Sequence, residues 1–238
     1  MTDPGVRAAI AGAVVLALAA IIRAGPQAPV TFSGRAVTEA GTHWYTEEHR
    51  VTRTDGRLHS ETRYIAPNGD VLAELAAEFG ARRYLPNTTF FDHRDHSRYT
   101  ITLAPDASRV TVAQRDGPNA KDATKTLDVR DDLMTYVGAL AFISDRLPDL
   151  LNGTSFVVEY LVPSRLNAYR LRISRRAVRG GVLNLRMEMD NFLYRWFASP
   201  MDLKLDSQTG RVLEFEGTAG LLDAFDHAVR VRITYSYQ

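Results

Sequence analysis

Glu47 and His49 stand two residues apart in the segment His43-Trp44-Tyr45-Thr46-Glu47-Glu48-His49. On an extended strand that spacing puts both side chains on one face of the sheet. A carboxylate beside an imidazole is a pairing that general acid–base chemistry uses. The same pair also serves as a hydrogen-bonded polar cluster in a sheet interior, because a buried carboxylate is costly unless it is paired. The cluster reading asks less of the sequence, and a hydrolase built on Glu47 and His49 stands as its rival.

Other candidates are more diffuse. In Asp92-His93-Arg94-Asp95-His96 two histidines three apart sit beside aspartates, a set that zinc accepts. No helix aims those histidines together and no distant third ligand is evident, so a solvated loop explains them equally well. Arg165 follows Pro163-Ser164 after a strand, where a loop arginine binds a carboxylate, a lipid headgroup or a surface partner. The tract Phe192-Leu193-Tyr194-Arg195-Trp196-Phe197 offers rings for a hydrophobic pocket, a membrane interface or ordinary core packing. No G-x-S-x-G, P-loop, G-x-G-x-x-G or H-E-x-x-H pattern occurs. With no cysteine, disulfides and zinc-thiolate sites are excluded, and no cofactor is implied.

The strand that carries Glu47 is fixed by turn chemistry. Asp55-Gly56 and Asn68-Gly69 are two-residue hairpin signals, and they cut residues 42–79 into three strands of a meander. With those turns, Arg50 faces Glu61, Glu48 faces Arg63, Arg63 faces Glu74 and His59 faces Glu78. Unlike charges thus meet across both ladders on one face. The other face then carries Tyr45, Val51, Leu58, Thr62, Tyr64, Ala73, Leu75 and Ala77, the expected core side. His43, Glu47 and His49 share it. Tyr64 falls opposite Glu47 and Thr62 opposite His49, which makes Tyr45, Glu47, His49 and Tyr64 the candidate ligand-binding set, with Arg165 added from its loop.

Further strands are expected at 98–103, 109–115, 155–162, 168–178, 182–190, 202–206, 211–216 and 229–237. Residues 116–126 read as a surface loop, and 131–143 as a short helix capped by Asp131 or Asp132. Ten or eleven short strands and one helix predict a mainly β fold, a large curled antiparallel sheet or open barrel.

The chain has 238 residues and a formal charge of +1. Arg7, Arg23 and Asp3 account for that charge, so the remainder is balanced and carries no electrostatic footprint for nucleic acid. Ala8 to Ile22 form an uncharged run between two arginines. Fifteen residues at 1.5 Å rise span roughly 22 Å, short of a ~30 Å hydrocarbon core and suited to a signal-peptide core. Residues 1–29 are therefore expected to be a signal peptide or membrane anchor with a short linker. Residues 30–238 are expected to form a single β-rich domain in the periplasm or outside the cytoplasm, exported or tethered to the inner membrane through residues 8–22.

The second half carries a resemblance. Asn152-Gly153-Thr154, Val162-Pro163-Ser164-Arg165-Leu166-Asn167-Ala168-Tyr169, Ser199-Pro200-Met201-Asp202 and Thr209-Gly210-Arg211-Val212 follow in order, after Tyr64-Ile65-Ala66-Pro67-Asn68-Gly69-Asp70. The order resembles a group of bacterial envelope proteins with an N-terminal export segment and is distantly similar to the DUF3108 family. The resemblance implies a β-rich envelope protein, an open barrel wrapped around a helix, and implies no activity, substrate or catalytic residue. The function expected is binding without catalysis, of a hydrophobic or lipid-like ligand or an envelope partner protein. A hydrolase and a structural assembly factor that recruits a partner strand at a sheet edge are the alternatives.

Overall fold

The computed structural model describes residues 29–192, 199–223 and 227–237. The apolar run 8–22, and the export or anchoring inferred from it, lies outside the described residues. So does most of the aromatic tract, of which only Phe192 is described, and it is exposed. No helix among the described residues is long and apolar enough to cross a membrane.

A meander opens the fold, each strand antiparallel to the next. Its strands are β1 (Val30–Thr38), β2 (His43–Thr54), β3 (Arg57–Ile65), β4 (Val71–Phe79), β5 (Asn87–Asp92), β6 (Arg98–Leu103), β7 (Arg109–Arg115) and β8 (Ala123–Asp128). Asp55 and Gly56 both take positive φ, 52° and 77°, as a type I′ turn requires, whereas at the second signal only Gly69 does, at 94°, and the turn is longer than two residues, closed by Ala66 N–H donating to Asp70 O at 2.8 Å. The register is the one read from the charges: Glu48 faces Arg63, Arg50 faces Glu61, Arg63 faces Glu74 and His59 faces Glu78. Arg63 lies 3.7 Å from Glu48 and 3.9 Å from Glu74 on an exposed face. Such pairs select a register and add little stability.

The expected loop at 116–126 ends earlier than the sequence suggests, because 123–128 pair with the open edge of β7. Almost every residue of β8 is exposed, so no alternation betrays it. β9 (Leu133–Thr135) follows, then α1 (Tyr136–Asp145), α2 (Leu147–Leu151) and β10 (Phe156–Val162). β9 and β10 form the one parallel pair among the described residues. The helix begins later than expected because Leu133–Thr135 are held by the ladder to Glu159–Leu161. Its cap is consequently Thr135 instead of Asp131 or Asp132: Gly138 N–H donates to Thr135 Oγ1 at 3.0 Å. Pro148 in the first turn starts the second helix, α2, where the sequence reading has one helix only.

The remaining strands are β11 (Asn167–Arg179), β12 (Val182–Met189), β13 (Met201–Asp206), β14 (Val212–Leu222) and β15 (Ala228–Tyr237), and β15 returns to pair with β1. All fifteen strands belong to one sheet, in the order β8-β7-β6-β5-β4-β3-β2-β1-β15-β14-β13-β12-β11-β10-β9. No ladder joins β8 to β9. The two ends of the sheet meet through side chains instead, Ile101, Val110 and Val112 against Leu133 and Leu161.

The sheet curls around α1, and every residue from Tyr136 to Ile143 is buried. A helix apolar on all sides needs such an enclosure. The connection from β4 to β5 crosses its start, where Thr135 N–H donates to Tyr84 O at 2.9 Å. A Cβ on Gly138 would lie 2.0 Å from that same oxygen. At the other end Asp145 accepts from Arg83 at 3.0 Å and from the Tyr84 hydroxyl at 2.9 Å. Gly138→Ala is therefore expected to cost about 1–3 kcal/mol through overpacking, a fall of several degrees in melting temperature. Gly80→Ala, at a glycine with open space around it, is expected to leave the melt unchanged. Equal melting curves for the two variants would contradict this packing.

Candidate functional site

The structure brings Tyr45, Glu47, His49 and Tyr64 together, as the register demands. Glu47 and His49 are 1% and 2% exposed on the concave side. His49 Nε2 lies 3.1 Å from Glu47 Oε2, and His49 Nδ1 lies 2.9 Å from Thr62 Oγ1. The Tyr235 hydroxyl donates to Glu47 Oε2 at 2.9 Å from two strands away. Gly34 makes that reach possible. It pairs with Glu47 on one side and Tyr235 on the other, and a Cβ there would lie 2.6 Å from the Tyr235 ring. Tyr45 and Tyr64 close the remaining sides, edge to face with centroids 5.5 Å apart.

Thr62, His49 and Glu47 stand in the order that a hydroxyl nucleophile, base and orienting carboxylate would take. Access is what they lack. Thr62 is 1% exposed, and the Phe32 ring stacks on the imidazole at 4.3 Å with an interplanar angle of 10°. Buried to this degree, the hydroxyl presents no surface to a reacting group. The network anchors β2, β3, β1 and β15 to one another.

Its phenols carry an electrostatic signature. Burial, and then the Glu47 charge, push Tyr45, Tyr64 and Tyr235 well above the ordinary value of 10. Burial and the neighbouring Tyr99, whose hydroxyl bonds that of Tyr136, do the same to Tyr136. Burial pushes Tyr237 up to about 12. A phenol whose folded value is raised contributes stability that is whole below pH 10 and lost as pH climbs through the folded values.

Beside this network, at one rim of the curled sheet, lies a cavity of about 600 Å³. Register breaks shape it. Ala36 pairs with Tyr45 and Val37 with His43, so Trp44 is an extra residue; Tyr64 pairs with Ala73 and Ile65 with Val71, so Leu72 is another. A third break falls between Thr218 and Leu222. Each bulge re-aims side chains at the sheet rim, and Trp44, Leu72, Gly220 and Leu222 all line the cavity. The Trp44 bulge also corrects the strand parity: His43, expected on the core face, turns outward to Thr46 and Arg35. Phe90, Tyr99 and Pro163 complete the apolar wall.

The polar part of the cavity centres on Asp92, which is 4% exposed. Arg94 binds it through Nε at 2.9 Å and Nη2 at 2.5 Å, and also donates to Leu222 O at 2.7 Å. That last bond ties the β5–β6 turn to the end of β14. Burial of Arg94 opposes its charge, but the bonds from Asp92, with Asp95 and Asp223 nearby, outweigh burial and raise its proton affinity.

Arg165 lies apart from the other four candidates. It is exposed at the end of a short turn and makes no ion pair among the described residues, while its neighbours Pro163 and Ser164 line the cavity. None of Tyr45, Glu47, His49 and Tyr64 lines the cavity; Tyr64 packs edge-on against the wall residue Phe90. In the histidine-rich turn, Asp92 is taken by Arg94 and His93 lies 3.2 Å from Glu74. Among the described residues no group of three or more His, Cys, Asp or Glu is placed to hold a metal ion. Sequence reasoning missed Gly34, Trp44, Leu72 and Tyr235 as site residues. No local signal marks them, because each depends on a bulge or a long-range pairing. No protein-family model matches the chain, and no curated protein sequence does.

Two outcomes follow from this geometry. Gly34→Ala is expected to displace the Tyr235 ring from Glu47 and cost about 1–3 kcal/mol, the scale of a buried group losing its partner, in urea unfolding. An unchanged midpoint would contradict the packing around Gly34. On raising pH, phenolate absorbance is expected to stay low through pH 10 and then to rise in one cooperative step that coincides with loss of sheet structure. Smooth ionisation of most tyrosines near pH 10 in the folded chain would contradict the burial described.

Proposed function

We propose that the protein is a non-catalytic binding protein, and that the cavity at the bulged rim takes a hydrophobic or lipid-like small molecule. The observation that carries this reading is the cavity itself: about 600 Å³, walled by Trp44, Leu72, Phe90, Tyr99 and Leu222, left open on a concave side otherwise occupied by the buried helix and the polar network. Ligand sites are commonly concave, mostly apolar and of this size, with a few placed polar groups. Asp92 and Arg94 supply the polar group here. The envelope setting rests on the apolar run 8–22 and on the resemblance of the turns and strand ends to envelope β proteins.

The hydrolase alternative lacks an approach to Glu47 and His49. The assembly-factor alternative meets a different obstacle at β8, whose exposed polar residues and Lys125 are of the kind that discourage strand addition. The test is binding of N-phenyl-1-naphthylamine, an uncharged apolar fluorophore. One molecule is expected to bind per chain with enhanced emission. Leu72→Arg, which puts a charged side chain into the apolar wall, is expected to weaken the signal sharply while the melting temperature holds. A protein that does not bind the dye, or a variant that binds it unchanged, would overturn the reading.

A further inference from the structure

β1 starts at the rim opposite the cavity, and the strand order brings the end of β11 to that same rim. Phe32 on β1 pairs with Tyr237, whose ring centre lies 5.1 Å from the Arg211 guanidinium. Asp206 N–H donates to Arg211 O at 2.8 Å, Asp206 pairs with Val182, and Val182 pairs with Arg179. One row of partners thus runs from the start of β1 to the β11–β12 hairpin, five strand spacings or roughly 24 Å.

That hairpin is basic. Residues 160–187 hold seven arginines and no acidic residue. Arg170 and Arg172 bind Asp190, and Arg186 binds Asp202. Arg175, Arg176 and Arg179, toward the hairpin end, are exposed and are in no ion pair among the described residues. The acids nearest in the topology are Asp206, held by Thr209 beside Arg211, and Asp149, three residues after Arg146. One arginine answers each, and the three of the hairpin remain in excess. Between them stands Val178, 42% exposed, one of two large apolar side chains exposed among the described residues.

We propose that this hairpin docks on an anionic bilayer, the one that residues 8–22 enter. Two independent observations converge on that occupant. The charge complements acidic lipid headgroups, which attract basic residues held within a Debye length of the surface. The chain also reaches the domain at this rim: seven residues separate the apolar run from Val30, a reach of at most roughly 23 Å. A tether that short makes contact with the surface intramolecular, so a weak attraction suffices to orient the domain. Val178 then rests in the headgroup layer, and the cavity, at the opposite rim, faces away from the bilayer. The inference rests on residues 8–22 entering a membrane and is independent of the cavity reading.

The chain has no cysteine, so Val178→Cys and Asn119→Cys each take a single bimane label, the second in the loop between β7 and β8 at the cavity rim. The full chain is reconstituted into nanodiscs of phosphatidylcholine, with or without phosphatidylglycerol, that carry a headgroup nitroxide quencher. Quenching at 178 is expected to exceed that at 119, to require phosphatidylglycerol and to fall in high salt. Arg176→Gln with Arg179→Gln is expected to lower the ratio of docked to undocked chains at least about tenfold, since each basic residue near an anionic surface contributes roughly fivefold. Both side chains are exposed, so the melting temperature of that variant is expected to hold. Equal quenching at the two sites, or quenching at 178 that is the same without phosphatidylglycerol, would overturn the docking and leave the anchor in place. A chain that does not enter the nanodiscs would overturn both.

Discussion

A helix with no polar side has to be enclosed, and the enclosure of α1 sets the rest of the architecture. Tyr136 to Ile143 present apolar surface in every direction, so the sheet must curl far enough to cover them all. Fifteen strands in one sheet achieve that without closing a hydrogen-bonded barrel. The parallel β9–β10 unit at one end delivers the helix to the interior, and the two ends meet through the packing of Ile101, Val110 and Val112 on Leu133 and Leu161. Gly138 shows how tight the fit is, since the backbone of Tyr84 occupies the space a methyl group would need.

The helix does not fill the concave side, and the remainder is divided between a closed polar network and an open cavity. The network is closed because its strands keep strict register. Glu47, Gly34 and Tyr235 form one row across β2, β1 and β15, and the missing side chain in the middle lets the outer two bond. The cavity is open because register fails around it. Extra residues at Trp44, Leu72 and 219–221 twist the strand ends and put large side chains around a gap. The two regions abut at Tyr45, which follows Trp44 in sequence. The bulge sends these two adjacent residues into different parts of one interior.

Much of the first sheet half was legible because local rules sufficed there. Positive-φ turns and facing charges fix β2, β3 and β4, and the core face read from them is buried at Tyr45, Val51, Leu58, Tyr64, Ala73, Leu75 and Ala77. Strands with weak periodicity escaped. β8 is exposed at all but Leu127, β9 has three residues, and β1 can be recognised only with its partners β2 and β15. Glu47 and His49 were legible as a pair on the core face, but not their enclosure, since Phe32 and Tyr235 come from strands far away in sequence. The cavity was not legible at all. A single inserted residue flips the facing of those beyond it, and counting by twos from Glu47 puts His43 inside and Trp44 outside, the reverse of what the bulge produces.

The central claim is that a ligand enters between Trp44, Leu72 and Phe90. Its most direct test is anomalous diffraction from crystals of the protein grown with a long-chain alcohol brominated at the tail end. The account expects one ordered bromine peak among those three side chains. A cavity without a peak at saturating ligand, or a sole peak elsewhere, such as the charged groove between Arg176 and Lys204 on β11 to β13, would contradict it.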